Sequence, residues 1–325
     1  MYGGAITLAK RFREMELKPD LFIASSMLDV TTFLMLSGQS QTPLLLYFHE
    51  NQFAYPVQKK NQTGEDRSCQ FISYTSALAA TTVAFNSKYN HDTFFEGLEK
   101  MLRIFPDFRN MDTIDQIRKK SIVLPLGFDF TNGFSKTIQG GSEKVPTLVW
   151  NHRWEHDKNP RDFFESLEEV ASLGHKFRLI VAGQNFPKVP KEFTKAREFF
   201  HEQIIHWGFA PDGEYARLLH EGDILPVTSN QDFFGISVVE AIFAGCFPLL
   251  PHRLAYPEIL PPAMFPECYY ENLTETLALN LTKFASSTLE TSGTIKRLQK
   301  HLRKYEWKNL EAKYIEVFSE TADKK

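Results

Sequence analysis

The sequence has few cysteines and no arrangement of them that suits a metal site. Only three occur in 325 residues, Cys69, Cys246 and Cys268, and no two form a Cys-x-x-Cys pair. Disulfide scaffolds and zinc ribbons need more cysteines at closer spacing. A small odd number of thiols is typical of proteins from reducing compartments, so we expect the cytoplasm, with the nucleus as the alternative.

Long apolar runs and a strong net charge are also missing. No apolar segment is long enough to span a bilayer and no stretch has the composition of a secretion signal, so we expect no membrane partner. A net charge of −3 excludes a globally basic coat for nucleic acid, although it allows a local basic surface. At 42% apolar and 24% charged residues, the chain has the composition of a globular protein with room for two domains.

Two motifs of common cofactor sites are absent. No Gly-x-Gly-x-x-Gly follows a predicted strand, which argues against a nicotinamide-binding enzyme. No Asp-x-Asp pair is placed to hold a divalent ion. We therefore expect neither a metal nor a cofactor.

The sequence does contain two rounds of alternating apolar runs and amphipathic segments, which predict parallel sheets covered by helices. A segment rich in Gly, Ser, Thr and Lys at 131–146 is the predicted linker. We predict an α/β fold of two Rossmann-like, doubly wound domains that face each other across a cleft. The predicted boundaries are 1–140, 141–305, and a helix at 306–325 that packs back on the first domain.

The start of the first domain is unusual. The sequence opens at once on a helical pattern that includes Ile6 and Phe12, with Gly3 and Gly4 before it. A parallel α/β domain normally begins with a strand whose following turn often binds phosphate. Either the domain starts unusually, or this chain lacks its first segment.

One stretch near the end of the second round carries two acids. Asp232 and Glu240 have seven residues between them, and Gly235 precedes a helix predicted to begin near Ile236. The first amides of such a helix can hold a phosphate, and the acids could then take hydroxyls on either side. A loop acid followed by an ordinary helical Glu is the alternative interpretation.

Polar and aromatic residues follow several predicted strands. Arg153 and Lys158 share one loop and could clasp a diphosphate, although a solvated basic loop is the commoner arrangement. Gly183 ends another strand. Trp207, Gly208 and Phe209 end a third, where they could line a nucleobase pocket or belong to the core.

These residues occur in the order and spacing of retaining glycosyltransferases with two Rossmann domains, and the sequence resembles that superfamily over nearly its whole length. The resemblance implies that Asp232 contacts hydroxyls of the transferred sugar and that Glu240 contacts the ribose. It also implies that Arg153 and Lys158 bind the diphosphate, helped by amides around Gly235 and Ile236. The first acid is most often Glu in that superfamily, so Asp232 is shorter by one methylene.

A closer resemblance, to the tRNA-queuosine α-mannosyltransferases, is carried by six segments of this sequence: YFHENQFAYP (47–56), FNSKYNHDTFF (85–95), LPLGFD (124–129), WNHRWEHDKNP (150–160), QDFFGISVVEA (231–241) and PHRLAYPEILP (251–261). It implies GDP-mannose as the donor substrate. It implies the cyclopentene diol of queuosine, at the wobble position of tRNA-Asp, as the acceptor. Because members of this family begin with an earlier strand, a Gly-rich turn and a further strand, the resemblance also implies an incomplete first domain, a truncated form whose own activity is in doubt.

The resemblance also implies roles in the first domain. His49, at the end of the predicted strand at 44–48, would hydrogen-bond the sugar or steady the leaving phosphate. The predicted acceptor contacts are Glu50 and Asn51 in the first domain and Arg253 and Tyr256 in the second. A tRNA partner needs cations, for which the candidates are Lys296, Arg297, Lys300, Arg303 and Lys304, or Arg118, Lys119 and Lys120. Either group could instead be a solvated helix face.

Two other hypotheses remain open. One is a retaining glycosyltransferase with a lipid, protein or small-molecule acceptor, although no basic amphipathic helix suggests membrane docking. The other is a catalytically weak form that binds the nucleotide sugar without turnover.

Overall fold

A computed structural model describes residues 3–55, 67–129, 145–184, 189–286 and 291–324. They form two compact units. Unit 1 comprises Met1–Gly127 and Trp307–Lys325, and unit 2 comprises Phe128–Glu306. The predicted linker at 131–146 lies almost entirely outside the described residues.

Unit 1 contains a four-stranded parallel sheet whose strands are ordered as in the sequence. The strands are β1 (Phe22–Ser25), β2 (Leu44–Phe48), β3 (Thr82–Phe85) and β4 (Ser121–Val123). Every residue of β2 is buried. Side chains alternate between the two faces of a strand, so both faces of this sheet must be covered.

The connecting helices of unit 1 pack in one hydrophobic cluster with one face of its sheet. They are α1 (Gly4–Glu14), α2 (Val30–Ser37), α3 (Ser68–Ala79), α4 (Lys88–Ile104) and α5 (Asp112–Lys119). Right-handed crossovers between strands in sequential order place their helices on the same side. The predicted α/β fold with two parallel-sheet domains is confirmed, and in the described part of unit 1 the crossover helices cover one face of the sheet.

Helix α5 was not expected, because 105–116 reads as an irregular acidic segment. Only Ile114 and Ile117 are buried on this helix of eight residues. Acids in its first turn and bases in its last turn complement the helix dipole. Its apolar signal is thus too short to detect from periodicity alone.

Unit 2 contains a six-stranded parallel sheet in the order β10-β9-β8-β5-β6-β7. Its strands are β5 (Thr147–Trp150), β6 (Arg178–Ala182), β7 (Ile204–Gly208), β8 (Ile224–Pro226), β9 (Phe247–Pro251) and β10 (Tyr269–Tyr270). Its helices are α6 (Pro160–Ser172), α7 (Lys191–Phe199), α8 (Asp212–Glu221), α9 (Ile236–Ala244), α10 (Tyr256–Ile259), α11 (Leu273–Ala285) and α12 (Thr291–Leu302). The strand order reverses between the neighbours β5 and β8, and ligands of doubly wound sheets bind at such a point.

The last helix, α13 (Trp307–Ala322), belongs to unit 1 and packs on the second face of its sheet. Val317 lies in one cluster with Leu45 and Tyr47 of β2. The Tyr314 hydroxyl donates to the carbonyl oxygen of Pro125 at 2.9 Å. Helix α13 therefore supplies the layer that the sequential crossovers leave out. Within the described ranges, no helix combines the length and apolar character needed to cross a membrane.

Candidate functional site

A cavity of about 370 Å³ lies beyond the carboxyl ends of four strands of unit 2. Residues that follow β5, β6, β7 and β8 line it, so it includes the point at which the strand order reverses. Seven of the predicted site residues line this cavity: Arg153, Lys158, Gly183, Phe209, Asp232, Ile236 and Glu240. The structure therefore brings the predicted cations, the predicted acids and one end of α9 to a single place.

Helix α9 begins at Ile236 because Gly235 turns the backbone into it with a φ of 91°. This left-handed conformation favours glycine. A Cβ on Gly235 would also lie 3.0 Å from Ile259 Cδ1 and 3.1 Å from Tyr256 Cε1. Ile236 and Ser237 line the cavity, and the first amides of a helix attract an anion. Gly235 thus serves the site by shaping the turn into α9.

Lys158 stands between two carboxylates. Its side chain is only 11% exposed, and its Nζ lies 3.6 Å from Asp157 Oδ2 and 3.7 Å from Asp232 Oδ2. The ammonium also donates to the carbonyl oxygen of Gln231 at 2.6 Å. These contacts hold the charge at the cavity wall, because a buried ammonium needs both counter-charge and hydrogen bonds.

Asp157 is a buried carboxylate that the sequence analysis did not single out. Its Oδ2 lies 3.8 Å from Arg153 Nη2 as well as 3.6 Å from Lys158 Nζ. One acid therefore lies beside both predicted diphosphate ligands. Arg153 is less constrained, since 46% of its side chain is exposed and it also pairs with Glu155 at 3.1 Å.

Tyr256, one of the predicted acceptor contacts, holds Asp232. Its side chain is fully buried, and its hydroxyl donates to Asp232 Oδ2 at 3.2 Å. Burial raises the pKa of Tyr256 well above its ordinary value, so this hydroxyl remains a donor. Between Tyr256 and Lys158, the shorter acid Asp232 is fixed in one place.

Glu240 accepts a hydrogen bond from the hydroxyl of Tyr215 at 2.8 Å. Burial raises the pKa of Glu240, and the Tyr215 hydrogen bond lowers it in part. The amide of Asn151, at the end of β5, donates to the same hydroxyl at 3.2 Å. Both Tyr215 and Asn151 line the cavity. No sequence pattern pointed to Tyr215, because its helix α8 lies distant in the chain from both partners.

His152 also lines the cavity and was missed, although it is the second residue after β5. Burial lowers its pKa to about 3, and the nearby charge of Lys158 acts in the same direction. Its imidazole is therefore neutral at physiological pH. Nδ1 lies 3.0 Å from Ser237 Oγ, which ties the loop after β5 to the first turn of α9.

The strand ends at β6 and β7 are shaped by glycines. A Cβ on Gly183 would lie 2.1 Å from the carbonyl oxygen of His152, so only glycine lets the two loops approach. Gly208 has a φ of 124° and precedes Phe209, which is 65% exposed at the cavity. Gly208 itself is not among the lining residues. Trp207 is partly exposed and packs against Trp154 and Phe164.

In unit 1, His49 and Glu50 follow the carboxyl end of β2. The His49 ring lies 4.7 Å from that of Tyr47, and partial burial lowers its pKa, so the imidazole is neutral at pH 7. The Glu50 carboxylate accepts from Gln52 Nε2 at 3.1 Å. Asn51 is 1% exposed, its Nδ2 contacts Asn90 and Thr93, and its Oδ1 accepts two backbone amides. The Asn51 amide thus ties the loop after β2 to α4, and its acceptor contact stays a prediction.

Arg253 and several predicted RNA-binding cations have partners within their own unit. Arg253 donates to the carbonyl oxygens of Thr228 and Ser229, which makes it a brace for the loop after β8. Lys120 donates to the carbonyl oxygens of Leu78 and Ala80. Arg297 pairs with Glu267 and Arg303 with Glu306. The basic stretches are thus partly neutralised. Among the described residues, no group of His, Cys, Asp or Glu side chains could hold a metal ion.

Comparisons with known proteins give two family matches. Residues 1–128 match the family described as "tRNA-queuosine alpha-mannosyltransferase N-terminal", and residues 134–282 match "Glycosyl transferases group 1". Together they cover most of the chain.

A tRNA-queuosine alpha-mannosyltransferase from Drosophila melanogaster is 36% identical over 226 residues, which are 67% of this chain and 59% of the relative. A GDP-mannose:cellobiosyl-diphosphopolyprenol alpha-mannosyltransferase from Xanthomonas oryzae pv. oryzae is 22% identical over 185 residues, 55% of this chain and 48% of the relative. The chain thus spans about half to three fifths of these curated relatives. The solved structure of a glycosyltransferase from Rickettsia africae has a TM-score of 0.68 at 15% identity, covering 100% of this chain and 83% of that one, which shows the shared fold.

Proposed function

Because the chain belongs to the tRNA-queuosine alpha-mannosyltransferase family, we propose that it transfers mannose from GDP-mannose, with retention, to the cyclopentene diol of queuosine. The proposed acceptor is the wobble position of tRNA-Asp, in the cytoplasm. One observation carries the proposal: two cations, the start of α9 and two acids line one cavity of unit 2. The donor assignment draws support from the Xanthomonas relative, whose name specifies GDP-mannose.

The cations would act on the leaving group. Transfer forms a bond from the anomeric carbon to a diol oxygen, breaks the bond to the β-phosphate, and releases GDP and a proton. Arg153, Lys158 and the first amides of α9 would stabilise the charge that develops on GDP. The two cations supply the neutralisation that a divalent ion would give, so we propose a reaction without metal or cofactor. The phosphate itself would take the proton of the acceptor hydroxyl.

The acids would hold the sugars. Asp232, fixed by Tyr256 and Lys158, would accept from hydroxyls of mannose, and Glu240 from those of the ribose. Phe209 would lie along the guanine base. In unit 1, His49 is a neutral imidazole and would hydrogen-bond the mannosyl group or the leaving phosphate. Glu50 would contact the acceptor diol.

Mass analysis of nucleosides tests this proposal. Queuosine-containing tRNA is incubated with GDP-mannose and the chain, and we expect a mannosylated queuosine nucleoside. Matched controls are tRNA that lacks queuosine and the variant Lys158→Gln. GDP-mannose consumption without a modified nucleoside would favour a different acceptor. GDP-mannose binding without hydrolysis or transfer would favour a catalytically weak form.

A further inference from the structure

Two polar side chains, Asn151 and Tyr215, form a chain of hydrogen bonds that ends on the Glu240 carboxylate and has a fixed direction. Asn151 Nδ2 donates to the Tyr215 hydroxyl at 3.2 Å, and that hydroxyl donates to Glu240 Oε2 at 2.8 Å. Asn151 lies at the end of β5, Tyr215 on α8 and Glu240 on α9. The chain of bonds therefore joins three separate elements of unit 2 at the cavity wall.

The direction follows from the chemistry of each group. Asn151 Nδ2 also lies 2.7 Å from the carbonyl oxygen of Ser237, which can only accept. The amide nitrogen, and not its oxygen, must therefore face both partners. Since the Tyr215 hydroxyl accepts from this amide, its own proton is directed to Glu240.

This arrangement distinguishes the two oxygens of the Glu240 carboxylate. Oε2 is the oxygen that accepts from Tyr215, so Oε1 is the one left to accept from a hydroxyl in the cavity. Burial and the charge of Glu240 raise the pKa of Tyr215 well above its ordinary value, so the phenol keeps its proton. The anchor at Ser237 ties this orientation to the first turn of α9.

We propose that Tyr215, supported by Asn151, is a positioning residue that orients the Glu240 carboxylate toward the ribose hydroxyls of the nucleotide. The inference rests on the proposed function, since it assumes a nucleotide in this cavity. Tyr215, on α8, would thus determine how the nucleoside of the donor is recognised. Other groups would bind its diphosphate.

Calorimetry with two nucleotides tests the proposal on the full chain. The probes are GDP and 2′,3′-dideoxy-GDP, and the variant is Tyr215→Phe. We expect the wild-type chain to bind the dideoxy nucleotide about tenfold more weakly than GDP, as for a lost hydrogen bond to a charged group. In Tyr215→Phe we expect GDP to bind about tenfold more weakly. The preference for GDP over the dideoxy nucleotide should fall to near onefold, because the substitution and the missing ribose hydroxyls both remove the same contact with Glu240.

A matched control is Tyr270→Phe. The Tyr270 hydroxyl donates to the carbonyl oxygen of Val227 at 2.6 Å, and the residue is not among those that line the cavity. This variant loses a tyrosine hydroxyl and its hydrogen bond. We expect it to keep the wild-type preference for GDP.

The pH dependence of GDP binding is a second, independent test. The Tyr215 hydrogen bond lowers the pKa of Glu240, so Tyr215→Phe raises that pKa and moves the acidic limb of binding to higher pH. The groups around Glu240 are Tyr215 from α8 and Asn151 from the end of β5, and the charged groups lining the same cavity are Arg153, Lys158 and Asp232. Tyr270→Phe leaves all of them in place, so its limb should not move.

The outcomes separate the inference from the function on which it rests. Suppose that the wild-type chain binds GDP, but that the loss of affinity from Tyr215→Phe and the loss from removing the ribose hydroxyls simply add. That result would overturn the positioning role alone. No GDP binding by the wild-type chain would overturn both. Should Tyr215→Phe fail to fold, Asn151→Ala retains the tyrosine and removes the group that directs its proton. A reduced preference for GDP then supports the proposal, and an unchanged one contradicts it.

Discussion

At the scale of single residues, the site depends on a compact arrangement of opposite charges. Lys158 lies between Asp157 and Asp232, and Asp157 also lies beside Arg153. Removing one member of a buried ion pair leaves the others without compensation, which costs more than the pair contributes. Stability and binding can therefore be separated by removing charges in pairs.

We predict that Lys158→Gln lowers both the affinity for GDP and the stability of the chain. GDP affinity should fall about tenfold or more, since a charge-assisted contact is lost. The free energy of unfolding should fall by about 3 kcal/mol, because Asp157 and Asp232 lose their shared cation. Calorimetry and urea titration measure the two effects. The exposed Lys176→Gln should change neither.

The double variant Lys158→Gln, Asp157→Asn distinguishes the two effects. We expect it to recover part of the lost stability, because fewer buried carboxylates remain unpaired. GDP affinity should stay low. Recovery of GDP binding would contradict a role of Lys158 at the diphosphate.

His152 makes stability depend on pH. Its pKa is about 3 in the folded chain, against 6.5 as the ordinary value. Between these values the unfolded chain binds a proton that the folded chain does not, so stability is full above pH 6.5 and falls as the pH is lowered, by about 1.4 kcal/mol per unit. We predict that His152→Gln flattens this slope between about pH 6 and pH 4. Urea titrations at several pH values measure it, and an unchanged slope would refute the assignment. The exposed His201→Gln is the control.

Single residues were predictable where chemistry lies at a strand end or within one short motif. Asp232 and Glu240 were found by their spacing, and Arg153 with Lys158 by their shared loop. Asn151 and His152 carried the same strand-end signal and were passed over. Asp157 and Tyr215 act through partners, and partnership across elements is not visible in local sequence.

At the scale of elements, the turn into α9 places the first amides of this helix at the cavity. Gly235 is left-handed there and has Tyr256 and Ile259 within 3.1 Å of where a Cβ would be. Its conformation and its packing therefore both require glycine.

We predict that Gly235→Ala destabilises the chain by about 2 kcal/mol through backbone strain and crowding, and weakens GDP binding by displacing the first amides of α9. Thermal unfolding and calorimetry measure these effects. Gly213→Ala on α8 is the matched control, because nothing lies within 4 Å of its Cβ position. That helical substitution should stabilise by about 0.5–1 kcal/mol. Equal effects of the two variants would contradict the role of Gly235.

Elements were predictable where the apolar pattern was long or the flanking turn was distinct. The strand at 44–48 and the start of α9 at Ile236 agree with the structure. Helix α5 was missed because two buried isoleucines among charged residues give too little pattern.

At the scale of the whole molecule, unit 1 is built from two distant parts of the chain. Helix α13 covers the sheet face that carries Leu45 and Tyr47. Val317 of this helix is 8% exposed within that cluster, whereas its neighbour Ile315 is 60% exposed.

We predict that Val317→Asp destabilises unit 1 by about 3 kcal/mol, because it buries an unpaired carboxylate or forces the helix off the sheet. Ile315→Asp should be close to neutral. Thermal unfolding followed by calorimetry should show a lowered transition for unit 1, with GDP binding in unit 2 retained below it. Equal transitions for the two variants would contradict the packing of α13.

The alternation of strands and helices predicted parallel sheets in both units, but it could not give the order of the strands. That order depends on the direction each crossover takes along the sheet. In unit 2 it reverses beside β5, and in the described part of unit 1 it does not. The reversal determines where the cavity lies, and only the three-dimensional structure reveals it.

Helix α13 follows all of unit 2 in the chain, and this has a consequence during translation. While the ribosome makes Phe128–Glu306, one apolar face of the unit 1 sheet stays uncovered. At usual elongation rates this takes roughly 10 to 40 s. Unit 2 can finish folding before unit 1 does. We expect such a nascent chain to bind chaperones, and its yield in cells to depend on elongation speed.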